Sequence, residues 1–251
     1  MKKIAVVEDN PDNRLLVRVI LDPLYEVTEY ENGFAALEGL PKQVPDLVLL
    51  DISLPEMDGA ELLRRMRADD QLRRVPAIAL TAHAMSGDRE KFLAAGFDDY
   101  VTKPIVDETV LLNAIRKLLS GPEAPATAPA KAPGPLDGSA LERLRKLGGD
   151  QFTGEMITLF LDYTQTKIVE ARNALTAGDP LGVSKAVHPI KSSAGNVGAV
   201  QVQELAARIE QLAKQPPGAE MGELLGKLEQ AFAASKPNLE AEKARLDHKP
   251  A

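Results

Sequence analysis

Five short apolar segments alternate with amphipathic segments in the first half of the chain, and this alternation constrains the fold more than any other feature. The apolar segments are KIAVVE, YEVTEY, DLVLLD, PAIALT and DYVT, and each predicts a β-strand. Apolar residues at helical spacing follow in 13–21, 34–40, 60–66, 88–95 and 108–119. Parallel strands need crossover helices. The pattern therefore predicts an α/β domain: a doubly wound five-stranded parallel sheet with helices on both faces.

A change of composition divides the chain after this domain. Residues 121–135, GPEAPATAPAKAPGP, consist largely of proline and alanine, which is typical of an extended linker. Beyond it only helical patterns appear, over 139–147, 152–177, 181–196, 200–214 and 221–234. The sequence thus predicts an α/β domain over 1–120, a linker over 121–135 and an all-α helical bundle over 136–251.

Composition excludes several functions. The formal charge is -7 and neither half of the chain is basic, so nucleic acid is not expected as a partner. The chain has no cysteine, which excludes disulfides, thiolate zinc sites and cysteine nucleophiles. The start MKKIAVVEDN has too few consecutive apolar residues for a signal peptide, and no apolar run is long enough for membrane insertion. We therefore expect a cytoplasmic protein.

Polar residues stand where the predicted strands end. Glu8 and Asp9 end the first strand, Asp51 the third and Thr81 the fourth, and Lys103 follows the fifth. The carboxyl ends of parallel strands meet at one edge of the sheet, where ligands bind in such folds. These five side chains are therefore expected to converge.

Converging carboxylates repel one another, and a hard cation such as Mg²⁺ with oxygen ligands would relieve that repulsion. A phosphoryl group on Asp51 could then be held through its oxygens by Lys103 and Thr81. The alternative is that the acidic residues are merely solvated or cap the next helices. This alternative explains any single residue of the set well. It explains all five polar residues at successive strand ends poorly.

Four motifs, VVEDN, LLDISLPEMDG, ALTAHA and YVTKP, resemble in order and spacing the receiver domain of two-component response regulators. The resemblance covers residues 1 to about 120 and implies a flavodoxin-like fold. It implies that Asp51 accepts the phosphoryl group and that Thr81 and Lys103 contact the phosphoryl oxygens. The expected ligands of Mg²⁺ are the carboxylates of Glu8, Asp9 and Asp51 and the backbone carbonyl of Ser53.

The same resemblance implies two further features of the first domain. Tyr100 is the aromatic residue expected to move with Thr81 as a switch, and the Lys103–Pro104 bond is expected to be cis. The side chains of Ser53 and His83 flank the site and are expected to tune the lifetime of the phosphoryl group.

One histidine in the second half stands in an unusual setting, VHPIKSSAGNVGA. Helical spacing puts His188, Lys191, Ser192, Gly195 and Asn196 on one face, which is polar and nearly free of bulky side chains. Glycine and serine weaken a helix, so their presence indicates close approach by another surface. The alternative for His188 taken alone is a packing residue.

This motif, with LERLRKLGGDQF and LFLDYT, resembles a histidine phosphotransfer domain, or Hpt domain, over residues 136 to about 214. The resemblance implies that His188 carries a phosphoryl group and that Lys191 assists it electrostatically. The small residues of the docking surface for a receiver would be Ser192, Gly195, Asn196 and Gly198. Pro189 departs from the family pattern, because proline removes a backbone donor and clashes with the carbonyl of Lys185. A kink or a break in the helix is therefore expected there.

The sequence favours a phosphorelay protein in which phosphoryl groups pass reversibly between aspartate and histidine. No Gly-rich phosphate loop is found, so a separate sensor histidine kinase is the expected source, with a downstream response regulator or another phosphotransfer protein as a further partner. The alternative is an interaction module, in which phosphorylation of the first domain exposes a helical bundle that docks or dimerises without carrying phosphate. The direction of phosphoryl flow stays open.

Overall fold

A computed structural model describes residues 1–82, 88–120, 139–213 and 220–247. The contacts divide the chain into two compact units, Met1–Ala132 and Pro133–Ala251. The predicted linker over 121–135 and the side chain of His83 lie outside the described residues.

The first unit contains a five-stranded parallel sheet of order β2-β1-β3-β4-β5. Its strands are β1 (Lys3–Val7), β2 (Glu26–Tyr30), β3 (Leu47–Asp51), β4 (Ala77–Thr81) and β5 (Asp99–Thr102). β1, β3 and β4 are almost entirely buried, which explains why their segments are continuously apolar rather than alternating. The predicted parallel sheet is confirmed.

Five helices follow the five strands, as the alternation predicted. They are α1 (Pro11–Leu21), α2 (Gly33–Gly39), α3 (Gly59–Ala68), α4 (Asp88–Ala94) and α5 (Glu108–Ser120). Side-chain caps begin three of them: Asn10 accepts from the backbone N–H of Asp12, and Asn32 and Asp58 cap α2 and α3 in the same way. The cap of α1 lies just beyond β1, and the cap of α3 lies beyond the loop that follows β3. Both helices therefore start at the edge of the sheet where the polar residues were expected.

Glycine is required at position 59 because the backbone is crowded there. A Cβ atom on Gly59 would lie 2.3 Å from the carbonyl oxygen of Asp51. The Gly59 N–H also donates to the carbonyl of Ile52 at 3.0 Å. The start of α3 is thereby held against the end of β3.

The regular structure in the described part of the second unit is helical. It comprises α6 (Ser139–Thr176), α7 (Pro180–Val197), α8 (Val200–Leu212) and α9 (Glu220–Asp247). The run of α6 is interrupted at Gly149, whose φ of 80° is not helical. This break agrees with the predicted end of one helix and start of the next around residue 149.

α7 continues through Pro189 as one helix, so the break that was one of the two expectations there is wrong. Val183, Val187, Ile190 and Ala194 repeat at helical spacing and are fully buried. Burial of this apolar stripe outweighs the hydrogen bond that proline cannot make to the carbonyl of Lys185. α9 likewise runs through Pro237 to Asp247, beyond the predicted end at residue 234.

None of the helices in the described ranges is long and apolar enough to cross a lipid bilayer.

The substitution Gly59→Ala is expected to destabilise the first unit by about 2–3 kcal/mol, because the new methyl group collides with backbone. The control is Gly226→Ala in α9, where a Cβ meets nothing within 4 Å. The control should stabilise the second unit by about 0.5–1 kcal/mol. Urea unfolding of the full chain, followed by hydrogen exchange so that each unit is measured separately, tests both. Equal effects of the two substitutions would contradict the close approach.

Candidate functional site

The parallel register brings the polar ends of four strands level with one another. Val7 pairs with Leu50, Asp51 with Leu80, and Thr81 with Thr102. Glu8 and Asp9 follow β1, Asp51 ends β3, Thr81 ends β4 and Lys103 follows β5. The structure therefore brings the predicted residues of the first unit together at one edge of the sheet, which we call the acidic site (Glu8, Asp9, Asp51, Lys103).

A buried ammonium group joins two buried carboxylates in the acidic site. Nζ of Lys103 donates to Oδ2 of Asp51 at 2.8 Å and to Oε2 of Glu8 at 2.9 Å. Glu8 is fully buried and Asp51 is 2% exposed. Two carboxylates thus share one ammonium, and the nearby carboxylate of Asp9 leaves negative charge in excess.

The pKa values reflect this imbalance. Burial raises the pKa of Glu8 to about 8, and the charge of Asp51 adds to that rise, while Lys103 opposes it. Burial alone would lower the pKa of Lys103, but the charges of Asp51 and Glu8 outweigh burial and raise it. Lys103 is therefore held as a cation, and the carboxylates retain an unmet demand for positive charge.

The donor set of the acidic site fits a hard divalent cation. Glu8, Asp9 and Asp51 each offer an oxygen, and these oxygens all lie within 4.8 Å of one another. Carboxylate oxygens are the ligands that Mg²⁺ prefers. Ser53 lies beside them, since its N–H donates to Oδ1 of Asp51 at 3.0 Å, while its side chain is exposed.

Thr81 ends β4, the strand next to that of Asp51, and Tyr100 lies on β5, one strand further out. Thr81 is buried, and its carbonyl accepts from the N–H of Lys103 at 2.7 Å. Tyr100 is half-buried and packs against Phe92, with ring centroids 5.9 Å apart. The Lys103–Pro104 bond is cis, as expected.

Two residues near the start of α1 support the acidic site and were missed by sequence reasoning. Arg14 donates to the carbonyls of Glu8 and Asp9, at 2.7 Å and 3.0 Å. Asn13 donates from Nδ2 to Oε1 of Glu8 at 3.1 Å. The sequence feature that could have identified them is the polar run EDNPDNR directly after an apolar strand. So polar a run is not expected to pack in an apolar core.

The second site lies where α7 meets α8. Nδ1 of His188 is hydrogen-bonded to Oε1 of Glu210, and Nζ of Lys191 donates to Oε2 of the same carboxylate at 2.5 Å. The side chain of His188 is 16% exposed and that of Glu210 is 8% exposed. We call these three residues the histidine site.

Glu210 is the residue of the histidine site that sequence reasoning missed. Burial alone would raise its pKa, but His188 and Lys191 outweigh burial and lower the pKa of Glu210 to about 2. The available signal was an acidic residue at position 210 next to apolar Ile209, on the buried side of an amphipathic helix.

The predicted docking surface is wrong for three of its residues. Ser192, Gly195 and Asn196 are buried, because α7 packs against both α6 and α8. The hydroxyl of Ser192 donates to the carbonyl of Pro189 at 3.1 Å. Gly198 is half-buried and ends α7 with a φ of 77°, in the left-handed region. The small residues therefore serve close packing of helices inside the bundle.

Family models match both units. The response regulator receiver domain matches residues 4–116, and the Hpt domain matches residues 155–238. The response regulator DivK of Brucella anthropi, described as a polar-differentiation regulator, is 42% identical over 105 residues, which cover 41% of this chain and 85% of DivK.

The chain is a member of the response regulator receiver family, with an Hpt domain in the same chain.

Longer relatives match both the receiver and the Hpt domain. The sensor protein GacS of Pseudomonas syringae pv. syringae is 32% identical over 224 residues, which cover 85% of this chain but 25% of GacS. This chain thus spans about a quarter of that relative. The receiver domain of the sensor histidine kinase PA1611 from Pseudomonas aeruginosa, crystallised with a magnesium ion in its active site cleft, is 39% identical with a TM-score of 0.44 and covers 48% of this chain and 98% of that chain. A receiver and an Hpt domain in one chain give the protein a role in two-component phosphorelay signalling.

Replacing Lys103 by methionine should destabilise the receiver by about 3 kcal/mol, because it leaves Glu8 and Asp51 buried without a counter-ion. Lys117→Met is the matched control, since Lys117 pairs with Asp99 at a similar distance, 2.9 Å, but lies 42% exposed. The control should cost less than about 1 kcal/mol. Urea unfolding in the presence of EDTA measures both, and equal losses would contradict the buried pairing.

The carboxylate of Glu210 is expected to make the stability of the Hpt domain depend on pH. Its folded pKa of about 2 lies below the ordinary value of 4.5, so its contribution is fully present above pH 4.5 and is lost as the pH falls towards 2. The loss is bounded at about 3 kcal/mol by linkage.

The measurement is the free energy of unfolding of wild type and Glu210→Gln between pH 7 and pH 2. The difference between them should shrink in the acid range. Glu204→Gln, on the exposed side of the same helix, should change stability by less than about 0.5 kcal/mol. A difference for Glu210→Gln that is constant with pH would contradict the ion pairs.

Proposed function

We propose that Asp51 accepts a phosphoryl group, that His188 carries one, and that the protein exchanges phosphoryl groups between such aspartate and histidine residues. The observation that carries the proposal is the convergence of Asp51 with Glu8, Asp9 and Lys103 at one edge of the sheet, in a chain that also holds an Hpt domain. Few other functions need a carboxylate that is buried, paired with an ammonium and beside two further carboxylates.

In the receiver, Asp51 supplies the oxygen that attacks phosphorus. The carboxylates of Glu8, Asp9 and Asp51 and the carbonyl of Ser53 would hold Mg²⁺. That ion, when bound, neutralises charge on the transferring phosphoryl group. Lys103 is already within 2.8 Å of Oδ2 of Asp51, so a phosphoryl oxygen on Asp51 would meet its ammonium. Thr81, which ends the neighbouring strand, would contact another oxygen, and Tyr100 would move with it as a switch.

In the Hpt domain, the hydrogen bond to Glu210 selects the tautomer of His188. A neutral imidazole has one N–H, and a carboxylate partner on Nδ1 holds the proton there. The lone pair of Nε2 is then left to attack phosphorus. Lys191, which shares the carboxylate of Glu210, would offset the negative charge of the phosphoryl oxygens.

Transfer from histidine to aspartate replaces one bond to phosphorus by another. The bond from phosphorus to Nε2 of a phosphohistidine breaks as the bond from phosphorus to an oxygen of Asp51 forms. The nitrogen keeps the electron pair of the broken bond, and Nδ1 keeps its proton on the side of Glu210. The reverse sequence returns the phosphoryl group to histidine.

The proposed partners follow from this chemistry. A sensor histidine kinase would supply phosphoryl groups, and a response regulator or another phosphotransfer protein would receive them, all in the cytoplasm. The rival interpretation, an interaction module that carries no phosphate, had its main support in the proline that follows His188. α7 runs through Pro189 without a break, which favours the phosphate carrier.

The test is labelling of the purified chain with a small phosphodonor and Mg²⁺. Wild type is expected to carry acyl phosphate on Asp51, which base hydrolyses, and phosphohistidine on His188, which survives base. Asp51→Asn should lose the acyl phosphate, and His188→Gln should lose only the base-stable label. Asp58→Asn, an exposed helix cap beyond the acidic site, serves as the control and should keep both labels.

Two results would contradict the proposal. The first is acyl phosphate in Asp51→Asn at the level of wild type. The second is base-stable label that persists in His188→Gln, because the phosphoryl group would then rest on another residue.

A further inference from the structure

The carboxylate of Glu8 is held by a side chain to which the proposed transfer assigns no part. Nδ2 of Asn13 donates to Oε1 of Glu8 at 3.1 Å. Asn13 is 5% exposed and Glu8 is fully buried, so bulk water does not compete for this hydrogen bond. The backbone N–H of Asn10 reaches the same oxygen at a longer distance, 3.4 Å.

The start of α1 fixes where Asn13 lies. Asn10 caps the helix and Pro11 is its first residue, so Asn13 is the third residue of the first turn. Side chains on a helix lean towards its N-terminus, which turns Asn13 back to the end of β1. A glutamate or glutamine at this position often bonds the backbone of the cap residue instead. Here the amide of Asn13 extends past the cap to Glu8.

Glu8 needs this restraint more than an aspartate would. A glutamate side chain has one more rotatable bond than aspartate, and fixing a rotatable bond costs conformational entropy. Lys103 contacts both oxygens of Glu8, at 2.9 Å and 3.3 Å, but Lys103 also serves Asp51. Asn13 is a neutral donor, so it fixes Oε1 of Glu8 without adding a positive charge that would repel an incoming cation.

We propose that Asn13 is a positioning residue for the cation site, and that its hydrogen bond to Glu8 sets the affinity of the receiver for Mg²⁺. The inference rests on the proposed function, since it takes Glu8 as a residue that holds the ion. Partners of metal ligands that lie outside the coordination sphere commonly change affinity on the order of 10-fold or more. Removing the amide should therefore raise the Kd for Mg²⁺ about 10-fold.

The measurement is titration of the full chain with MgCl₂, with the Kd taken from amide NMR shifts of the residues after β1 and β3. Asn13→Ala removes the side chain, and Asn13→Leu keeps its volume but removes the donor. Both should show about the same 10-fold rise in Kd. A wild-type Kd in Asn13→Leu would overturn the proposal, because Asn13 would then only fill space.

A double-mutant cycle with Glu8→Asp separates positioning of Glu8 from other effects of Asn13. The shorter aspartate no longer reaches the amide, so Asn13→Leu should change the Kd of the Glu8→Asp chain by less than 2-fold, against about 10-fold in wild type. Equal changes in both backgrounds would overturn the proposal.

Asn32→Ala controls for loss of an asparagine that stabilises the start of a helix but makes no hydrogen bond to Glu8. Asn32 caps α2 by accepting from the N–H of Ala35 at 2.8 Å, so its replacement should affect stability but not the Kd for Mg²⁺.

Failure of this inference differs from failure of the proposed function. If wild type binds Mg²⁺ and Asn13→Leu binds it equally well, only the role of Asn13 is lost. If wild type binds no Mg²⁺, the proposed receiver chemistry is lost with it.

Discussion

The ammonium of Lys103, buried between Asp51 and Glu8, is the interaction on which the receiver depends. Three carboxylates meet at one edge of the sheet because a parallel register brings the strand ends level. Without a cation among them, these buried carboxylates would repel one another with no counter-charge to offset the cost of their burial. Lys103 keeps Asp51 paired and buried while leaving an excess of negative charge. Stability of the fold and demand for a divalent cation therefore have one electrostatic origin.

The histidine site has the opposite arrangement of charge. In the receiver two carboxylates share one ammonium, whereas in the Hpt domain an imidazole and an ammonium share the one carboxylate of Glu210. The receiver site therefore has more carboxylates than ammonium groups, and the histidine site has more nitrogen donors than carboxylates. A phosphoryl group brings negative oxygens to Lys191 on the Hpt side, and it meets Lys103 and a divalent cation on the receiver side.

Sequence reasoning predicted the sheet and the acidic site well, because strand ends follow directly from apolar runs that stop at polar residues. It failed where packing between distant segments decides. The buried stripe of Val187 and Ile190 overrides the local rule against Pro189 inside a helix. Glu210 lies on a different helix from His188, so only the packing of α7 on α8 reveals their contact. Ser192 and Asn196 are small and polar, which suits a docking face and a tightly packed helix equally, and the structure buries both.

Transfer between two chains that each keep one site is the sharpest test of whether Asp51 and His188 can exchange a phosphoryl group. A His188→Gln chain labelled on Asp51 would be freed of phosphodonor and mixed with an unlabelled Asp51→Asn chain in Mg²⁺. We expect base-stable phosphohistidine to appear on the second chain as acyl phosphate disappears from the first, and EDTA to prevent the transfer. Release of all the label as inorganic phosphate, with none on the second chain, would show that the two sites do not exchange phosphoryl groups.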